Sequence, residues 1–318
     1  MAKEGILSAS TSPHQRAAHS TASVMRVVIF AMIPILIFSV LYFGWRVLLI
    51  TGLSVASAVL SEWIWQKLTK QKVTISDWSA VVTGMLLAFN LPASVPWWMP
   101  IIGSAFAIII VKQIFGGIGQ NFMNPALAAR CFLLVAWSSA MVTFQVDGVT
   151  VATPLAYLQS GEESMVPSYL GCFLGVIPGC LGETSKLLIL LGGLYLIWRK
   201  VISFVIPLSY IGTVFVLSYV LGGDGLYQIL TGGLMLGAFF MATDYTTSPM
   251  NAKGQCIMGI GCGILTVLIR FYGGYPEGVS FSILLMNICV PLIDRFTMPR
   301  VFGTEKSSFF KKKEEKQS

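Results

Sequence analysis

The residues able to do chemistry lie in three polar segments of an otherwise apolar chain. The first segment, 144–183, contains Asp147-x-x-Thr150-x-Ala152-Thr153. A turn of this composition is expected to be exposed, and an accessible hydroxyl can be modified covalently. Loops of this length without predicted structure are often functional. The two threonine hydroxyls are therefore candidate modification sites.

The second segment, Gly116–Ala126, combines three glycines and a proline with the amides of Gln120, Asn121 and Asn124. Glycine lets the backbone approach a ligand closely, and amides present paired donors and acceptors. The segment could hold a flat polar heterocycle. A tight turn between two helices fits the same composition, and composition alone favours the turn.

The third segment, Met241–Pro249, places Asp244 among hydroxyl side chains. Such a carboxylate either coordinates a cation or caps a helix, and capping is the commoner role. Three further charges, Glu62, Lys112 and Arg130, fall near predicted helix ends on the same side of the membrane. We expect these side chains to reach the interface by snorkelling.

Metal chemistry has little support in this chain. The six cysteines include no Cys-x-x-Cys pair, and the two histidines, His14 and His19, both lie in the N-terminal arm. Zinc sites and four-thiolate clusters need a denser ligand set. The sequence predicts neither a metal site nor a catalytic residue.

These segments must be positioned by apolar helices. Of the residues, 55% are hydrophobic and 11% charged, and the mean hydropathy is +0.76. Soluble domains carry roughly 25% charged residues, which excludes an ordinary soluble enzyme, a coiled coil or a disordered chain. The prediction is an all-α polytopic membrane protein with about ten transmembrane helices. The predicted spans are 24–43, 47–66, 78–91, 96–115, 123–143, 184–198, 201–221, 226–242, 255–272 and 279–296. The third and sixth are short enough to be broken.

The basic residues predict the orientation. If both termini lie inside, 18 of the 21 lysines and arginines, Arg130 included, fall on the inner side, as the positive-inside rule requires. Segment 144–183 then becomes an outer loop. The predicted organisation is a cytoplasmic arm (1–23), a transmembrane domain (24–296) and a basic cytoplasmic tail (297–318).

A weak internal repeat suggests how the helices are arranged. Thr83–Leu87 resembles Thr231–Met235, and glycine pairs follow the fourth and ninth spans. With five spans in each half, the two copies would be inverted in the membrane, as in many transporters. Two inverted five-helix repeats are therefore a hypothesis for the architecture.

Four sequence segments together carry a resemblance to a known family. Asp147-x-x-Thr150-x-Ala152-Thr153 resembles the acceptor sequence of flavin transferases, and the chain also contains FGGIGQNFMNPALAARCF, LGET and FFMATDYTTSP. In this order they resemble the family of the D subunit of the Rnf complex and the B subunit of the Na⁺-translocating NADH:quinone reductase. The similarity runs from about residue 15 to 303.

The resemblance implies a covalent cofactor. In this family FMN is joined by a phosphoester to the last hydroxyl of the motif, which is Thr153 here. Asp147, Thr150 and Ala152 match the pattern that the transferase recognises. Val151 departs from the usual glycine, and its branched side chain restricts the backbone there.

The resemblance also implies a second cofactor and a set of partners. Asn121 and Asn124 match a loop that is associated with non-covalent riboflavin. The expected partner proteins are a second covalent flavoprotein, iron–sulfur subunits, two more helical membrane subunits and a flavin transferase for maturation.

The implied function is electron transfer between ferredoxin and NAD⁺, coupled to Na⁺ or H⁺ translocation, in the bacterial cytoplasmic (inner) membrane. The short polar N-terminal arm fits the Rnf type better than the quinone reductase. The alternative is a channel or secondary transporter built on the inverted repeat, without a redox role, because fold does not settle function.

Overall fold

The computed structural model describes residues 20–146, 149–160, 167–274 and 277–299. Asp147 and most of the predicted terminal segments, 1–23 and 297–318, lie outside these residues. In chain order the helices are α1 (Thr21–Phe43), α2 (Arg46–Leu68), α3 (Ser79–Phe89), α4 (Trp98–Phe106), α5 (Pro125–Ala136), α6 (Ser138–Val142), α7 (Pro154–Ser160), α8 (Tyr169–Leu174), α9 (Lys186–Trp198), α10 (Val205–Val220), α11 (Gly225–Leu230), α12 (Leu234–Leu236), α13 (Ala252–Tyr272) and α14 (Val279–Thr297). Two π-helical segments, Ala107–Gln113 and Gly237–Met241, continue α4 and α12.

Four helices, α1, α2, α13 and α14, are long and apolar enough to cross a membrane. The 23 residues of α1 span about 35 Å at about 1.5 Å per residue, which exceeds a hydrocarbon core of about 30 Å. Five shorter apolar helices, α3, α4 with its π-helical end, α5, α9 and α10, accompany them. These helices confirm the prediction of a polytopic membrane protein.

The outer surface of the helices is apolar, as the core is. Phe30, Leu41, Val135 and Trp198 are exposed by 63, 80, 73 and 76%. Water would penalise such a surface, whereas a bilayer core solvates it. The exposed side chains therefore agree with the membrane assignment.

Successive spans alternate in direction, so the connecting segments collect at two ends of the molecule. One end brings together Thr21, Asn121, Val201 and Asp244, which line one cavity; we call it the Asn121 side. The other end brings together Thr153, Gly179, Gly232 and Glu277; we call it the Thr153 side.

Helix α3 is too short to cross a membrane. Its 11 residues cover about 17 Å at about 1.5 Å per residue, and the chain continues in an extended loop. An incoming segment satisfies the freed carbonyls: Leu181 N–H donates to Leu91 at 3.0 Å and Gly182 N–H donates to Phe89 at 2.8 Å. Such pairing is obligatory because the bilayer core offers backbone groups no water.

The eighth predicted span, 226–242, is not one helix. It is broken at Thr231-Gly232-Gly233, between α11 and α12, and Gly232 has a φ of +64°. That left-handed conformation favours glycine. The sixth predicted span, which is short enough to be broken, is the continuous helix α9.

The two halves of the chain share a packing pattern. Helix α2 packs against α3 and α4, and in the second half α10 packs against α11 and α13. The first spans of each half, α1 and α9, contact each other. The inverted arrangement of the two halves stays a hypothesis.

The predicted outer loop, 144–183, contains secondary structure. Strands β1 (Phe144–Val146) and β2 (Val149–Val151) pair antiparallel, with Phe144 opposite Val151. Helices α7 and α8 follow. The class is thus helical with one added hairpin.

Candidate functional sites

Thr153 begins helix α7. Its Oγ1 accepts a hydrogen bond from the Ala156 N–H at 3.3 Å, and Pro154 follows as the first helical residue. A threonine before a proline is a common helix start, since its oxygen caps a free N–H and proline lacks one. The side chain is only 8% exposed. The prediction of an exposed hydroxyl at Thr153 is therefore wrong, because capping turns the side chain inward.

The other residues of the motif are arranged around the hairpin. Thr150 pairs with Gln145 across the two strands, and Ala152 is exposed. Val151 lies at the end of β2, where a branched residue suits the extended backbone. This placement gives a physical reason for valine at a position that is usually glycine in the acceptor sequence.

A small cavity borders Thr153 and leads to a buried charged cluster. Glu183 and Glu277 line it, together with Gly179 and Gly232. Glu183 is 3% exposed, and its Oε1 accepts no hydrogen bond from the described residues. The cavity therefore combines a threonine hydroxyl with two carboxylates.

Arg130 reaches this cluster from α5. It forms an ion pair with Glu277, lies 3.7 Å from Glu183 and donates to Ser280 Oγ at 2.6 Å. The expectation that Arg130 snorkels to the inner interface is wrong, since these partners all belong to the Thr153 side. A buried guanidinium needs such partners to offset desolvation.

Two further cations donate hydrogen bonds to backbone carbonyls at the break between α11 and α12. Lys186 donates to the backbone carbonyls of Glu183 and Gly232. Arg270 donates to the Gln228 carbonyl at 2.6 Å and to the Thr231 carbonyl at 3.3 Å. A broken helix leaves carbonyls unpaired, and these side chains pair them.

Sequence reasoning missed the roles of Lys186 and Arg270. The available signal was their position at the ends of apolar helices, where a charge is costly and often functional. The broken helix that they support was not visible in the hydropathy pattern.

On the Asn121 side, Asn124 begins helix α5. Its Oδ1 accepts from the N–H groups of Ala126 at 3.0 Å and Leu127 at 3.3 Å, and its Nδ2 donates to the Met241 carbonyl at 3.2 Å. Asn121 Nδ2 donates to the Met123 carbonyl at 3.1 Å. The amides thus shape the turn between the helices, which agrees with the turn interpretation.

The same two amides also line a cavity of about 230 Å³. Leu86, Phe239 and Phe240 form much of its apolar wall. Small-ligand pockets are mostly apolar with a few placed polar groups. The cavity has this composition, and ligand binding by this segment stays a prediction.

Asp244 lies at the edge of this cavity. Its Oδ2 accepts from Thr246 Oγ1 at 3.0 Å and from Thr247 Oγ1 at 3.2 Å. Burial raises the pKa of the Asp244 carboxyl, and the two hydroxyl hydrogen bonds oppose that shift. The carboxylate is partnered by the hydroxyls that follow it in sequence.

Glu62 and Lys112 form a buried pair beside the cavity. Lys112 Nζ lies 3.0 Å from each Glu62 carboxylate oxygen, and it donates to Ser79 Oγ at 2.6 Å. The side chains are 1% and 4% exposed. The expectation that they snorkel is wrong, because the π-helical turn directs both Lys112 and Gln113 to Glu62.

One group of side chains in the described residues has metal-ligand spacing. Atoms of Cys180, Glu183 and Glu277 lie within 4.8 Å of one another. The Arg130 guanidinium already occupies this space, contacting Cys180 at 3.7 Å. A fixed positive charge among the ligands disfavours a metal ion there.

Comparison with known proteins covers nearly the whole chain. A profile of the NQR2, RnfD, RnfE family matches residues 8–303. The chain belongs to this family. Thr153, Asn121 and the charged cluster all lie inside the matched region, so family membership concerns the sites as well as the helices.

The most similar relatives include three D subunits of ion-translocating complexes. That of the Na⁺-translocating ferredoxin:NAD⁺ oxidoreductase complex of Acetobacterium woodii is 53% identical, over 94% of this chain and 96% of the relative. Its counterpart in the proton-translocating complex of Clostridium ljungdahlii is 44% identical, over 96% and 98%. The D subunit of the ion-translocating oxidoreductase complex of Escherichia coli is 35% identical, over 93% and 98%.

Proposed function

We propose that this protein is the D subunit of an Rnf-type, ion-translocating ferredoxin:NAD⁺ oxidoreductase complex. It acts as a membrane electron-transfer subunit and is not catalytic alone. The single observation that carries the proposal is the acceptor sequence ending at Thr153, in a chain matched over nearly its full length with D subunits. A bacterial cytoplasmic membrane location, with both termini inside and Thr153 outside, completes the proposal.

Thr153 would hold FMN through a phosphoester at Oγ1. Glu183 and Glu277 line the cavity beside it, and three cations, Arg130, Lys186 and Arg270, each contact one or both of them, which leaves a surplus of one positive charge. That surplus suits the negative charge of a phosphodiester. Because the hydroxyl caps α7, the segment must open for the transferase to reach it.

The cavity on the Asn121 side would hold riboflavin without a covalent bond. Asn121 and Asn124 supply amide donors and acceptors, while Phe239 and Phe240 supply apolar surface. This composition fits an isoalloxazine ring, which is flat and carries polar edges. When bound, the two flavins would supply one- and two-electron chemistry.

Partner subunits would supply the other redox centres. The described residues bring no four thiolates together, and their six cysteines are free. We expect a second covalent flavoprotein, iron–sulfur subunits and two further helical membrane subunits, with a flavin transferase for maturation. The coupling ion is Na⁺ or H⁺, since one relative is named for each.

The test is covalent flavin on Thr153. The protein is co-expressed with a flavin transferase, and a denaturing gel is viewed under ultraviolet light. We expect a fluorescent band near 34.6 kDa that persists in Thr153→Ser and disappears in Thr153→Val. Thr143→Val, close to the same segment, is the control that keeps the band. Mass spectrometry of the peptide 144–183 locates the adduct.

A second candidate is a channel or secondary transporter. The break between α11 and α12 favours it, because broken helices often line transport sites. It predicts that the wild-type chain shows no fluorescent band even when the transferase modifies another substrate in the same cells.

A further inference from the structure

A second cavity on the Thr153 side, of about 310 Å³, lies between α7, α11 and α13. Leu155 and Leu158 line it from α7, Gln228 from α11, and Arg270 and Phe271 from α13. Its volume is at the lower end of the roughly 300–1,000 Å³ typical of small-ligand pockets. The cavity is therefore large enough for one flat ring system.

This cavity adjoins the attachment site. Leu155 lines both the larger cavity and the small one that borders Thr153. Gly232 lies next to both Leu155 and Arg270. A Cβ placed on it would be 2.8 Å from the Leu155 side chain and 3.0 Å from the Arg270 guanidinium. A group tethered at Thr153 by a phosphate and a ribityl chain thus has an adjacent space for its ring.

The walls have the chemistry that a flavin ring needs. Leu155, Leu158 and Phe271 offer apolar surface to the ring faces. Gln228, only 8% exposed, offers its amide NH₂ for the polar edge, since its side-chain oxygen is paired with Arg270. Arg270, only 4% exposed, places a positive charge beside them.

Arg270 is held in a fixed orientation. Its Nη1 donates to the Gln228 carbonyl at 2.6 Å and to the Gln228 side-chain oxygen at 3.0 Å. Its Nε donates to the Glu277 carbonyl at 3.2 Å. The carboxylate of Asp224, also at the cavity, accepts from the N–H groups that begin α11.

From this arrangement we propose that the cavity receives the isoalloxazine ring of the FMN attached at Thr153, and that Arg270 favours its reduced form. The inference rests on the proposed function. Two electrons from a chemical reductant and one proton from solvent convert the neutral oxidised ring to a singly negative one. A fixed positive charge nearby stabilises that product relative to the oxidised ring.

The first experiment is an anaerobic reductive titration of the purified, flavin-loaded protein. At a fixed potential, Arg270→Gln is expected to lower the ratio of reduced to oxidised flavin about tenfold, equal to about 30 mV for a two-electron couple. Arg270→Lys, which keeps the charge, should shift the ratio less. Arg46→Gln, on the same side but away from the cavity, is the control and should not change it.

The second experiment does not depend on the folding of an arginine variant. Leu158→Trp fills the cavity, and the displaced flavin ring should become at least about twofold more sensitive to quenching by iodide. The band on the denaturing gel should keep its intensity.

The outcomes separate the two proposals. A wild-type protein without the band refutes the proposed function. A normal band, with a titration unchanged in Arg270→Gln or quenching unchanged in Leu158→Trp, refutes the docking cavity.

Discussion

Removing one member of the Glu62–Lys112 pair should destabilise the protein strongly. Both side chains are almost fully buried, and the lysine contacts both carboxylate oxygens. Lys112→Met would leave the Glu62 carboxylate with only amide donors, from Gln66 and Gln113. Breaking a buried pair in this way costs about 3–5 kcal/mol.

The physical reason predicts a specific non-additivity. Glu62→Gln with Lys112→Met removes both charges, so no uncompensated charge remains buried. The double variant should therefore lose less stability than Lys112→Met alone, with a coupling of about 1–3 kcal/mol. Lys67→Met, at an exposed position of the same helix α2, removes a cation–π contact with the Trp63 ring (4.3 Å to the centroid) and should change stability by no more than about 1 kcal/mol.

The assay is thermal unfolding of the purified protein in detergent, followed by the loss of the monodisperse peak in size-exclusion chromatography. Lys112→Met should lower the midpoint by about 6–20 °C, using about 2–4 °C per kcal/mol. The reasoning fails if Lys112→Met unfolds within about 2 °C of the Lys67→Met control, which is the shift of a 1 kcal/mol change. It also fails if the double variant is less stable than Lys112→Met.

Two further substitutions test the packing of individual elements. Asn124→Ala removes the cap of α5 and the hydrogen bond to the Met241 carbonyl. We expect a loss of about 1–2 kcal/mol of stability, measured by thermal unfolding. We also expect release of the proposed non-covalent flavin, measured as flavin in the extract. Retention of both the stability and the flavin would contradict the double role proposed for Asn124. Gly84→Leu brings a side chain against the α2 backbone, since a Cβ there would lie 2.8 Å from the Val55 Cα. It should cost at least about 1–3 kcal/mol. Gly52→Leu, with open space around its Cβ, should not lower the unfolding midpoint, because leucine favours a helix interior over glycine.

The limits of the sequence reasoning are clearest at Arg130 and Thr153. Counting charges placed Arg130 with the inner basic residues, yet it pairs with Glu277, which is far along the chain on the Thr153 side. Hydropathy assigns a residue to a span but does not predict which residues its side chain contacts. Likewise, the motif identified Thr153, but only the start of α7 explains why its hydroxyl is buried.

The sequence by itself determined the membrane class, nearly all of the spans and the acceptor motif. These features depend on local composition: an apolar run long enough to cross a bilayer is helical whatever surrounds it. The tertiary structure decided the break at Gly232, the hairpin before Thr153 and the cluster of Arg130, Lys186 and Arg270. Those features depend on contacts between segments distant in sequence, because the cost of a broken helix or a buried charge is offset only by groups that folding brings to it.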